Sequence, residues 1–475
     1  MEVEIGIGKS GRRAYGFDDI AIVPSRRTRD PEDVDISWEV DAYKFDLPMM
    51  AAAMDGVVSP ATAIEIGKVG GLACLNLEGL WTRYEDPEPV FEEIASLPAE
   101  KATRRMQELY DEPIKPDLIG RRIREIKAGG VTACASLTPQ RVEQYAEHVL
   151  DAELDVLVVQ GTVVSAEHVS KDPQRQPLNL KKFIREFELP VIVGGCASYS
   201  TALHLMRTGA VGILVGVGPG HACTSRGVLG IGVPQATAIA DAAGARIRHL
   251  DETGVYVHVI ADGGMRTGGD IAKAIACGAD AVMIGSPLAS AYEAPGRGFH
   301  WGMATFHPTL PRGARVDAGR KASLREILVG PAHENDGTLN LFGALRTSMA
   351  TTGYETVKEF QKAEVMVAPA LKTEGKSLQR AQGHRHGMTH EATRPRRRLR
   401  RAVRAAHRPP RARGARLQRD RPALDARLPR CSPADPTRSS LGRTGLGARR
   451  RGALPSTPRS TTQGSRCSAS ATARS

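Results

Sequence analysis

Short runs of apolar residues, many of them β-branched, recur eight times in residues 1–290, and most end in Gly or another small residue. Between most of these runs, apolar residues recur every three or four positions, which is the period of an amphipathic helix. Near-continuous apolar strands are typical of a parallel sheet covered on both faces, and eight strand–helix units over about 250 residues fit a TIM barrel better than an open sheet. The predicted strands are 47–53, 71–76, 131–137, 155–161, 190–196, 212–218, 257–264 and 281–286. The main predicted helices are 60–69, 141–152, 178–187, 199–208, 234–243 and 269–277.

Two long connections interrupt this alternation. Residues 77–130 contain charged amphipathic segments at 91–97 and 118–127 but are too few for another full domain. Residues 289–339 follow the eighth predicted strand and are rich in Gly, Pro and Arg. Loops that follow barrel strands lie at the carboxyl face, where the chemistry of TIM barrels takes place. The sequence therefore predicts an α/β fold, a single TIM barrel over residues 1–371, with its site at that face.

Residues 372–475 differ in kind from the barrel. From Ala381 onward there is no Ile, Phe, Tyr, Trp, Lys or Asn, and Arg, Ala, Pro and Ser dominate. Such a composition cannot build a core, so this tail is predicted to be disordered. One interpretation is an arginine-rich arm that binds nucleic acid, and the other is a non-native extension, such as a GC-rich gene translated in a shifted frame. The absence of aromatic side chains that stack on bases favours the second interpretation.

Charge and cysteine content narrow the class of protein further. The 475 residues carry a net charge of +12, but the part after Arg380 holds 24 Arg and four acidic residues, a net charge of +20, which leaves −8 for residues 1–380. The barrel is therefore mildly acidic, and neither a nucleic acid nor a membrane is expected as its partner. The seven Cys show no CxxC pair, so neither a zinc site nor a disulfide framework is indicated. Without an apolar leader or a run of about 18 apolar residues, the sequence predicts a cytoplasmic protein.

A glycine-rich loop, residues 215–226, follows the sixth predicted strand and reads VGVGPGHACTSR. Several glycines let the backbone turn sharply and approach a ligand closely. A cysteine is most often a buried thiol, but Cys223 is delivered by a Gly-Pro-Gly turn and is followed by the hydroxyls of Thr224 and Ser225. This arrangement favours an activated nucleophile.

Two further glycine turns follow the seventh and eighth predicted strands, at Asp262-Gly263-Gly264 and at Gly285-Ser286. Each turn alone is explained as a tight strand-to-helix connection. Three successive strands that offer bare backbone N–H groups at one rim favour a phosphate site instead. Asp262 either caps its own turn or accepts hydrogen bonds from two hydroxyls, as of a ribose diol.

These motifs occur in the order found in a known family. The segments are FDDI with VP at 17–24, AAMD at 52–55, GPG to CTSR at 218–226, GVPQA at 232–236, IADGG at 260–264 and VMIGS at 282–286. Together they resemble the IMP dehydrogenase/GMP reductase family, and the resemblance covers about residues 8 to 368. It implies a TIM barrel that usually assembles as a tetramer, often an octamer.

The resemblance also implies a reaction and its residues. Cys223 attacks C2 of a purine monophosphate (IMP, XMP or GMP) to form a thioimidate, with Ser225 and Thr224 beside it, while a hydride passes between C2 and NAD or NADP. Asp262 holds the ribose, and Gly264, Gly285 and Ser286 hold the 5′-phosphate. The substrate-binding set implied in full is Ala53, Met54, Asp262, Gly263, Gly264, Gly285, Ser286, Gly302 and Met303. The cofactor set is Gln160, Gly216 and Gly218, and the carbonyls of Gly218, Gly220 and Cys223 bind a monovalent cation such as K+.

Departures from the family pattern leave the activity open. Residues 77–130 are too few to hold the paired CBS modules of most IMP dehydrogenases, and GMP reductases lack them too. Gln160, Cys196 and Leu214 replace an aspartate, an asparagine and a basic residue expected near the nicotinamide or the purine. No Arg-Tyr pair, which activates water in the dehydrogenase, occurs in residues 304–339. The pattern most resembles the IMP dehydrogenase-related branch without CBS modules.

Three interpretations follow from these departures. The first is a purine-nucleotide oxidoreductase that converts IMP to XMP or GMP to IMP. The second is GMP reductase specifically, since that reaction needs no hydrolytic water. The third, of another class, is a regulatory protein that binds IMP or GMP but has lost turnover, although a pure binding module gains nothing from a reactive thiol.

Overall fold

The computed structural model describes residues 2–168, 177–302, 306–307, 310–311, 314–368 and 376, with only the backbone of 306–307 and 310–311. All of them belong to the first of two units into which contacts divide the chain, residues 1–393. The predicted boundary at 371/372 and the predicted tail lie outside the described residues, apart from Lys376.

Eight parallel strands close into a barrel in chain order, with the last strand pairing with the first. The predicted α/β TIM barrel is therefore confirmed, and each strand lies within its predicted range. The strands are β1 (Met49–Ala51), β2 (Leu72–Asn76), β3 (Cys134–Leu137), β4 (Val156–Gln160), β5 (Val191–Cys196), β6 (Gly212–Val215), β7 (His258–Asp262) and β8 (Ala281–Ile284).

Alternating residues of these strands serve two separate cores, because successive side chains point to opposite faces of a sheet. Met50, Leu214 and Met283 belong to the cluster inside the barrel, and all three are fully buried. The hairpin Trp38–Val40 with Tyr43–Phe45 packs onto that same inner cluster. The other faces of the strands pack against the surrounding helices in a larger cluster.

The helical layer extends further than the sequence pattern predicts. The helices are Pro60–Lys68, Glu88–Ser96, Ala99–Tyr110, Pro116–Ala128, Val142–Asp151, Leu180–Glu186, Tyr199–Met206, Ser225–Leu229, Gln235–Thr253, Gly268–Ala276, Ser286–Ala289, Leu324–Val329, Leu341–Thr351 and Val357–Phe360. The predicted helix 234–243 runs ten residues further, to a glycine with φ of +73° that ends it as a left-handed cap. Outside the barrel lie the short strands Glu2–Gly6, Lys9–Arg12, Ile20–Ile22, Phe299–Trp301, Phe306–His307, Leu310–Pro311, Arg315–Asp317 and Val365–Val367, and the 3₁₀ turns Phe17–Asp19, Pro31–Asp33 and Leu80–Thr82.

The long connection between β2 and β3 packs back onto the carboxyl end of the barrel. Its helix Ala99–Tyr110 ends in a tyrosine whose hydroxyl hydrogen-bonds the buried carboxylate of Asp55, in the loop after β1. The same hydroxyl accepts a hydrogen bond of 2.7 Å from the indole N–H of Trp301. The connection between β2 and β3 is therefore hydrogen-bonded both to the loop after β1 and to the strand Phe299–Trp301.

The other long connection, after β8, pairs Phe299–Trp301 with Arg315–Asp317 in an antiparallel ribbon. Val365–Val367 returns to pair with Ile20–Ile22 near the start of the chain. Among the described helices, none is both long and apolar enough to cross a membrane.

Candidate active site

A cavity of about 770 Å³ opens at the carboxyl ends of the barrel strands. Its wall contains nearly every residue that the sequence suggested for the site, and the three glycine turns meet there, as expected. These residues are Ala53, Met54, Gln160, Gly216, Gly218, Gly220, Cys223, Thr224, Ser225, Asp262, Gly263, Gly264, Gly285, Ser286 and Gly302. The remaining one, Met303, lies outside the described residues.

Cys223 lies on the wall of this cavity and is partly exposed to it. Its backbone N–H donates to the carbonyl of Gly220 at 3.1 Å, so the Gly-Pro-Gly segment forms a tight turn before the thiol. The Sγ lies 3.3 Å from Oγ of Ser225, which is fully buried at the start of the helix Ser225–Leu229. The thiol is thus fixed by a hydroxyl partner while one side remains open to a ligand.

The glycines of the turns after β6 and β7 also have a packing role. A Cβ on Gly216 would lie 2.1 Å from the carbonyl oxygen of Asp262, and one on Gly264 would lie 3.0 Å from Cβ of Pro219. Gly264 has φ of +83°, a conformation that other residues adopt only with strain. The two turns therefore pack so closely that glycine is required there whether or not a ligand binds.

Asp262 ends β7 with its carboxylate on the cavity wall. Its Oδ2 accepts a hydrogen bond from the Gln160 amide at 3.3 Å. Burial raises the pKa of Asp262 to about 7, and the Gln160 bond offsets this only in part. Ionised, this carboxylate has spare lone pairs that fit two hydroxyl groups of a ligand.

Gln235 stabilises the turns after β6 and β7, and the sequence analysis did not identify it as a site residue. Its side-chain N–H₂ donates to the carbonyl of Val215 at 2.7 Å and to that of Asp262 at 3.1 Å, so it connects the ends of β6 and β7. Two signals were available in the sequence, the segment GVPQA at 232–236 and a polar residue directly after Pro234 at a helix start, and neither assigns this role by itself.

The three departures from the family pattern occupy different places. Gln160 lines the cavity, as expected. Cys196 and Leu214 are fully buried and are not part of the cavity wall, and the Cys196 thiol donates to the Leu214 carbonyl at 3.5 Å. Of the three, Gln160 therefore faces the cavity, whereas the side chains of Cys196 and Leu214 point into the packed core.

The far wall of the cavity comes from residues that the sequence pattern did not identify. Arg83, Tyr110 and Arg141 lie there with Glu78, in segments that follow β2 and β3. The Arg83 Nε donates to the Glu78 carbonyl at 3.0 Å, and the Arg141 Nε lies 3.3 Å from the Glu78 carboxylate. His300, from the ribbon after β8, also lines the cavity. Charged residues in amphipathic segments usually face solvent, so their local sequence gave no sign of this position.

The fold and the cavity define a class: a TIM-barrel protein with a cysteine at the mouth of its barrel. Residues 14–308 match the family model described as "IMP dehydrogenase / GMP reductase domain". The chain therefore belongs to the IMP dehydrogenase/GMP reductase family.

Relatives of known sequence or structure agree with this membership. An uncharacterized oxidoreductase of Mycolicibacterium smegmatis is 49% identical over 374 residues, which cover 77% of this chain and 99% of the relative. The inosine-5′-monophosphate dehydrogenase of Methanocaldococcus jannaschii is 26% identical over 479 residues, covering 76% of this chain and 94% of the relative. The crystal structure of an IMP dehydrogenase/GMP reductase-like protein from Corynebacterium glutamicum is similar with a TM-score of 0.73 and 47% identity, covering 77% of this chain and 98% of that one.

Proposed function

We propose that this protein transfers a hydride between a nicotinamide cofactor and C2 of a purine nucleoside monophosphate, through a covalent bond to Cys223. The observation that carries the proposal is the position of the Cys223 thiol, partly exposed in the same cavity as the Asp262 carboxylate and the glycine turns. The chain's membership of the IMP dehydrogenase/GMP reductase family supports it.

In the oxidative direction, the Cys223 thiolate would add to C2 of IMP, and the C2 hydride would pass to the oxidised nicotinamide cofactor. The resulting thioimidate is hydrolysed by water, which gives XMP and releases the thiol. In the reductive direction, the thiolate would add to C2 of GMP, and the amino group would take up a proton from water and leave as ammonia. A hydride from the reduced nicotinamide cofactor would then add to C2 and displace the thiolate to give IMP. In both directions one difficult step becomes two easier ones.

The remaining residues of the cavity would hold the nucleotide. The Asp262 carboxylate fits the two hydroxyls of a ribose, and the backbone N–H groups of Gly264, Gly285 and Ser286 fit a phosphate. The Ser225 hydroxyl accepts a hydrogen bond of 3.3 Å from the Cys223 thiol and would orient it toward the ligand. Ala53, Met54 and Gly302 line the same cavity and would complete the wall around the base.

The cavity also fits a nicotinamide cofactor and a monovalent cation. With about 770 Å³, it has room beyond what a mononucleotide fills, and Gln160 offers an amide that would hold the nicotinamide. The bound cofactor supplies the acceptor or the donor of the hydride. Backbone carbonyls are suitable ligands for K+, and those of Gly218, Gly220 and Cys223 lie on one loop, although Gly220 already accepts one hydrogen bond.

GMP reduction is a second candidate direction, and a specific observation favours it. Residues 304–339 contain no Arg-Tyr pair to activate water, and the reductive direction needs no hydrolysis. The experiment that separates the directions measures absorbance of the reduced nicotinamide. One cuvette contains IMP with NAD+ or NADP+, and the other contains GMP with NADH or NADPH.

A change in either cuvette supports the proposal and identifies the direction. No change in both, together with thermal stabilisation by IMP, would replace it with the regulatory protein that binds a nucleotide without turnover. No change and no stabilisation by IMP or GMP would contradict nucleotide binding altogether.

A further inference from the structure

Two arginines lie on the wall of the main cavity, in the segments that follow β2 and β3. Arg83 and Arg141 are the arginines of the described wall, which has no lysine, and its carboxylates are Glu78 and Asp262. In a closed barrel of eight strands, β2 and β3 lie across from β6 and β7. The two guanidinium groups are therefore on the opposite side of the cavity mouth from the glycine turns.

Arg83 is held in place by hydrogen bonds to uncharged groups. It is half-buried, and its guanidinium donates to the backbone carbonyl of Glu78 at 3.0 Å and to that of Glu112. The guanidinium carbon lies 5.7 Å from the centre of the Tyr110 ring. Burial lowers the pKa of Arg83, and the positive charge of Arg141 acts in the same direction. An arginine stays protonated even so, and Arg83 therefore keeps a positive charge in a partly desolvated position.

Glu78 is shared between the two arginines and leaves an excess of positive charge. Its carboxylate lies 3.3 Å from the Arg141 Nε and accepts a hydrogen bond of 2.5 Å from the backbone N–H of Thr138. The Glu78 side chain is 14% exposed, whereas that of Arg141 is 44% exposed and open to a ligand. Guanidinium groups present paired N–H donors that match the oxygens of a phosphate. A phosphate group is therefore the ligand chemistry that fits this wall.

The arrangement of the cavity indicates which phosphate that would be. In the proposed function, the phosphate of the purine nucleotide lies at the turns after β7 and β8, on the far side. A hydride passes only between groups in contact, so the nicotinamide must lie beside C2 and Cys223, near Gln160. Gln160 ends β4, which pairs with β3. The remainder of the cofactor then extends along the segments after β2 and β3, where the two arginines are.

We propose that Arg83 and Arg141 bind the phosphate groups of the nicotinamide dinucleotide cofactor. The inference rests on the proposed function, because it takes such a cofactor as the ligand. It adds two residues to the cofactor set of Gln160, Gly216 and Gly218. NAD and NADP share a diphosphate, and NADP carries a further phosphate on its adenosine ribose. Both sources present the same chemistry to a guanidinium, and measurements with the two cofactors distinguish them.

The test titrates the IMP-saturated protein with NADH and with NADPH and follows the fluorescence of the reduced nicotinamide. IMP and a reduced cofactor do not react in either direction of the proposed reaction, so binding is measured without turnover. The variants are Arg83→Gln, Arg141→Gln and Arg141→Lys, with Arg121→Gln as the matched control. Arg121 is exposed, forms ion pairs with Glu85 and Glu125, and lies outside the cavity wall. Calorimetry with IMP and thermal unfolding show whether each variant is folded.

For Arg141→Gln, we expect the better-bound cofactor to lose ~10-fold in affinity, as for a hydrogen bond to a charged group, while the affinity for IMP changes less than ~2-fold. Arg83→Gln should lose ~10- to 100-fold, because its guanidinium is less exposed to water. Arg141→Lys should recover part of the loss, since Lys keeps the charge but not the paired donors. Arg121→Gln should bind every ligand like the parent.

The two cofactors identify the phosphate that is bound. Equal losses for NADH and NADPH in Arg141→Gln assign the contact to the diphosphate, and a loss confined to NADPH assigns it to the additional phosphate. In either case the loss should become smaller when the concentration of sodium chloride is raised about tenfold, because salt screens a contact between charges. A loss that is independent of salt would indicate an uncharged part of the cofactor and would overturn the inference.

Arg141→Gln decides the outcome, because Arg83 also supports the loop that carries it. Unchanged affinity of this variant for both cofactors would overturn the inference alone. An equal loss for the cofactors and for IMP would overturn it too, since that result indicates a structural role. An unaltered protein that binds neither reduced cofactor would overturn the proposed function together with the inference.

Discussion

The two ends of the barrel each contain a carboxylate shielded from water, fully buried in Asp280 and half-buried in Asp262, but only one end surrounds it with partners. Asp280, just before β8 at the amino end, accepts hydrogen bonds from Arg246 at 2.7 Å and from Lys358 at 2.6 Å. Tyr256 donates to it at 2.7 Å as well. Burial alone would raise the pKa of Asp280, but the positive charges of Arg246 and Lys358 lower it to about 2. At the carboxyl end, Gln160 is the one side chain among the described residues that hydrogen-bonds the Asp262 carboxylate, and burial raises the pKa of Asp262 to about 7.

Two histidines, His258, which is half-buried, and His300, which is buried, repeat the same contrast. His258, at the start of β7, accepts a hydrogen bond of 3.2 Å from the Trp38 indole. His300, at the other end, has no partner among the described residues. Burial lowers the pKa of both to about 4, so both rings are neutral and differ in their partners.

The difference indicates that the amino end of the barrel serves stability and the carboxyl end serves ligand binding. At the amino end, protein groups donate hydrogen bonds to both oxygens of the buried Asp280 carboxylate, and this arrangement stabilises the fold. At the carboxyl end, buried polar groups are left partly unsatisfied at a cost in stability, and a ligand is the partner that would satisfy them. Substitutions at the two ends should therefore affect different properties.

The largest effect is expected on kcat, from replacing Cys223 at the carboxyl end of the barrel. Cys223→Ala removes the nucleophile, and kcat should fall by ~10³-fold or more because the covalent intermediate cannot form. Affinity for IMP and the melting temperature should stay near those of the parent. Steady-state kinetics, calorimetry and thermal unfolding check these three quantities, with Cys277→Ala as a control outside the cavity.

The second largest effect is expected on stability, from replacing Asp280 at the amino end of the barrel. Asp280→Asn leaves Arg246 without its counter-charge in a buried position, and the free energy of unfolding should fall by ~2–4 kcal/mol. Urea denaturation measures it. The same replacement at the carboxyl end, Asp262→Asn, should leave the stability at pH 7 unchanged or higher. Equal destabilisation by both variants would remove the distinction between the two ends.

Asp262→Asn should also remove a pH dependence. Because its pKa in the folded protein lies above the ordinary value of an aspartate, Asp262 binds a proton that the unfolded chain has lost, and its contribution to stability falls as pH rises from ~4 to ~7. Nucleotide affinity should change in the opposite sense, increasing up to pH ~7 as the carboxylate forms and accepts the ribose hydroxyls. Titrations with IMP from about pH 5.5 to about pH 8.5, in steps of about one unit, should show a larger rise in the parent than in the variant, where only the ionisation of the IMP phosphate, with a pKa of about 6, contributes.

A smaller effect is expected where the connection after β2 joins the site. Tyr110→Phe removes the hydroxyl shared by Asp55 and Trp301, and should cost ~1–2 kcal/mol of unfolding free energy. Tyr292→Phe, which loses an exposed hydrogen bond to the Lys321 carbonyl, is the control and should change it by less than ~0.5 kcal/mol. A result for Tyr110→Phe no larger than that of the control would show that this junction adds nothing to stability.

The smallest effect is expected from the tail. Removing residues 372–475 should change kcat and nucleotide affinity by less than ~2-fold, because that segment has too few apolar residues to add to a core. A larger loss, or a nucleic-acid affinity that disappears with the tail, would support the arginine-rich arm instead.

The sequence allowed the barrel and the glycine turns to be predicted because both depend on local patterns. Apolar strands and the glycines that follow them are visible within a few positions of one another. The helix Ala99–Tyr110 was missed, since it is dominated by charged residues and gains its stability from packing. The partners of Asp280 lie 34 and 78 residues away, and no local pattern connects them. His300 was missed for the same reason: its burial depends on the ribbon and on the loop after β1.

The most direct test of the proposed chemistry is mass spectrometry of acid-quenched protein. IMP with an oxidised nicotinamide, or GMP with a reduced one, should each leave the same purine nucleotide attached to the peptide that contains Cys223, and nothing attached in Cys223→Ala. Catalytic turnover without any adduct on Cys223, or an adduct on another cysteine, would contradict a nucleophilic thiol at the mouth of this barrel.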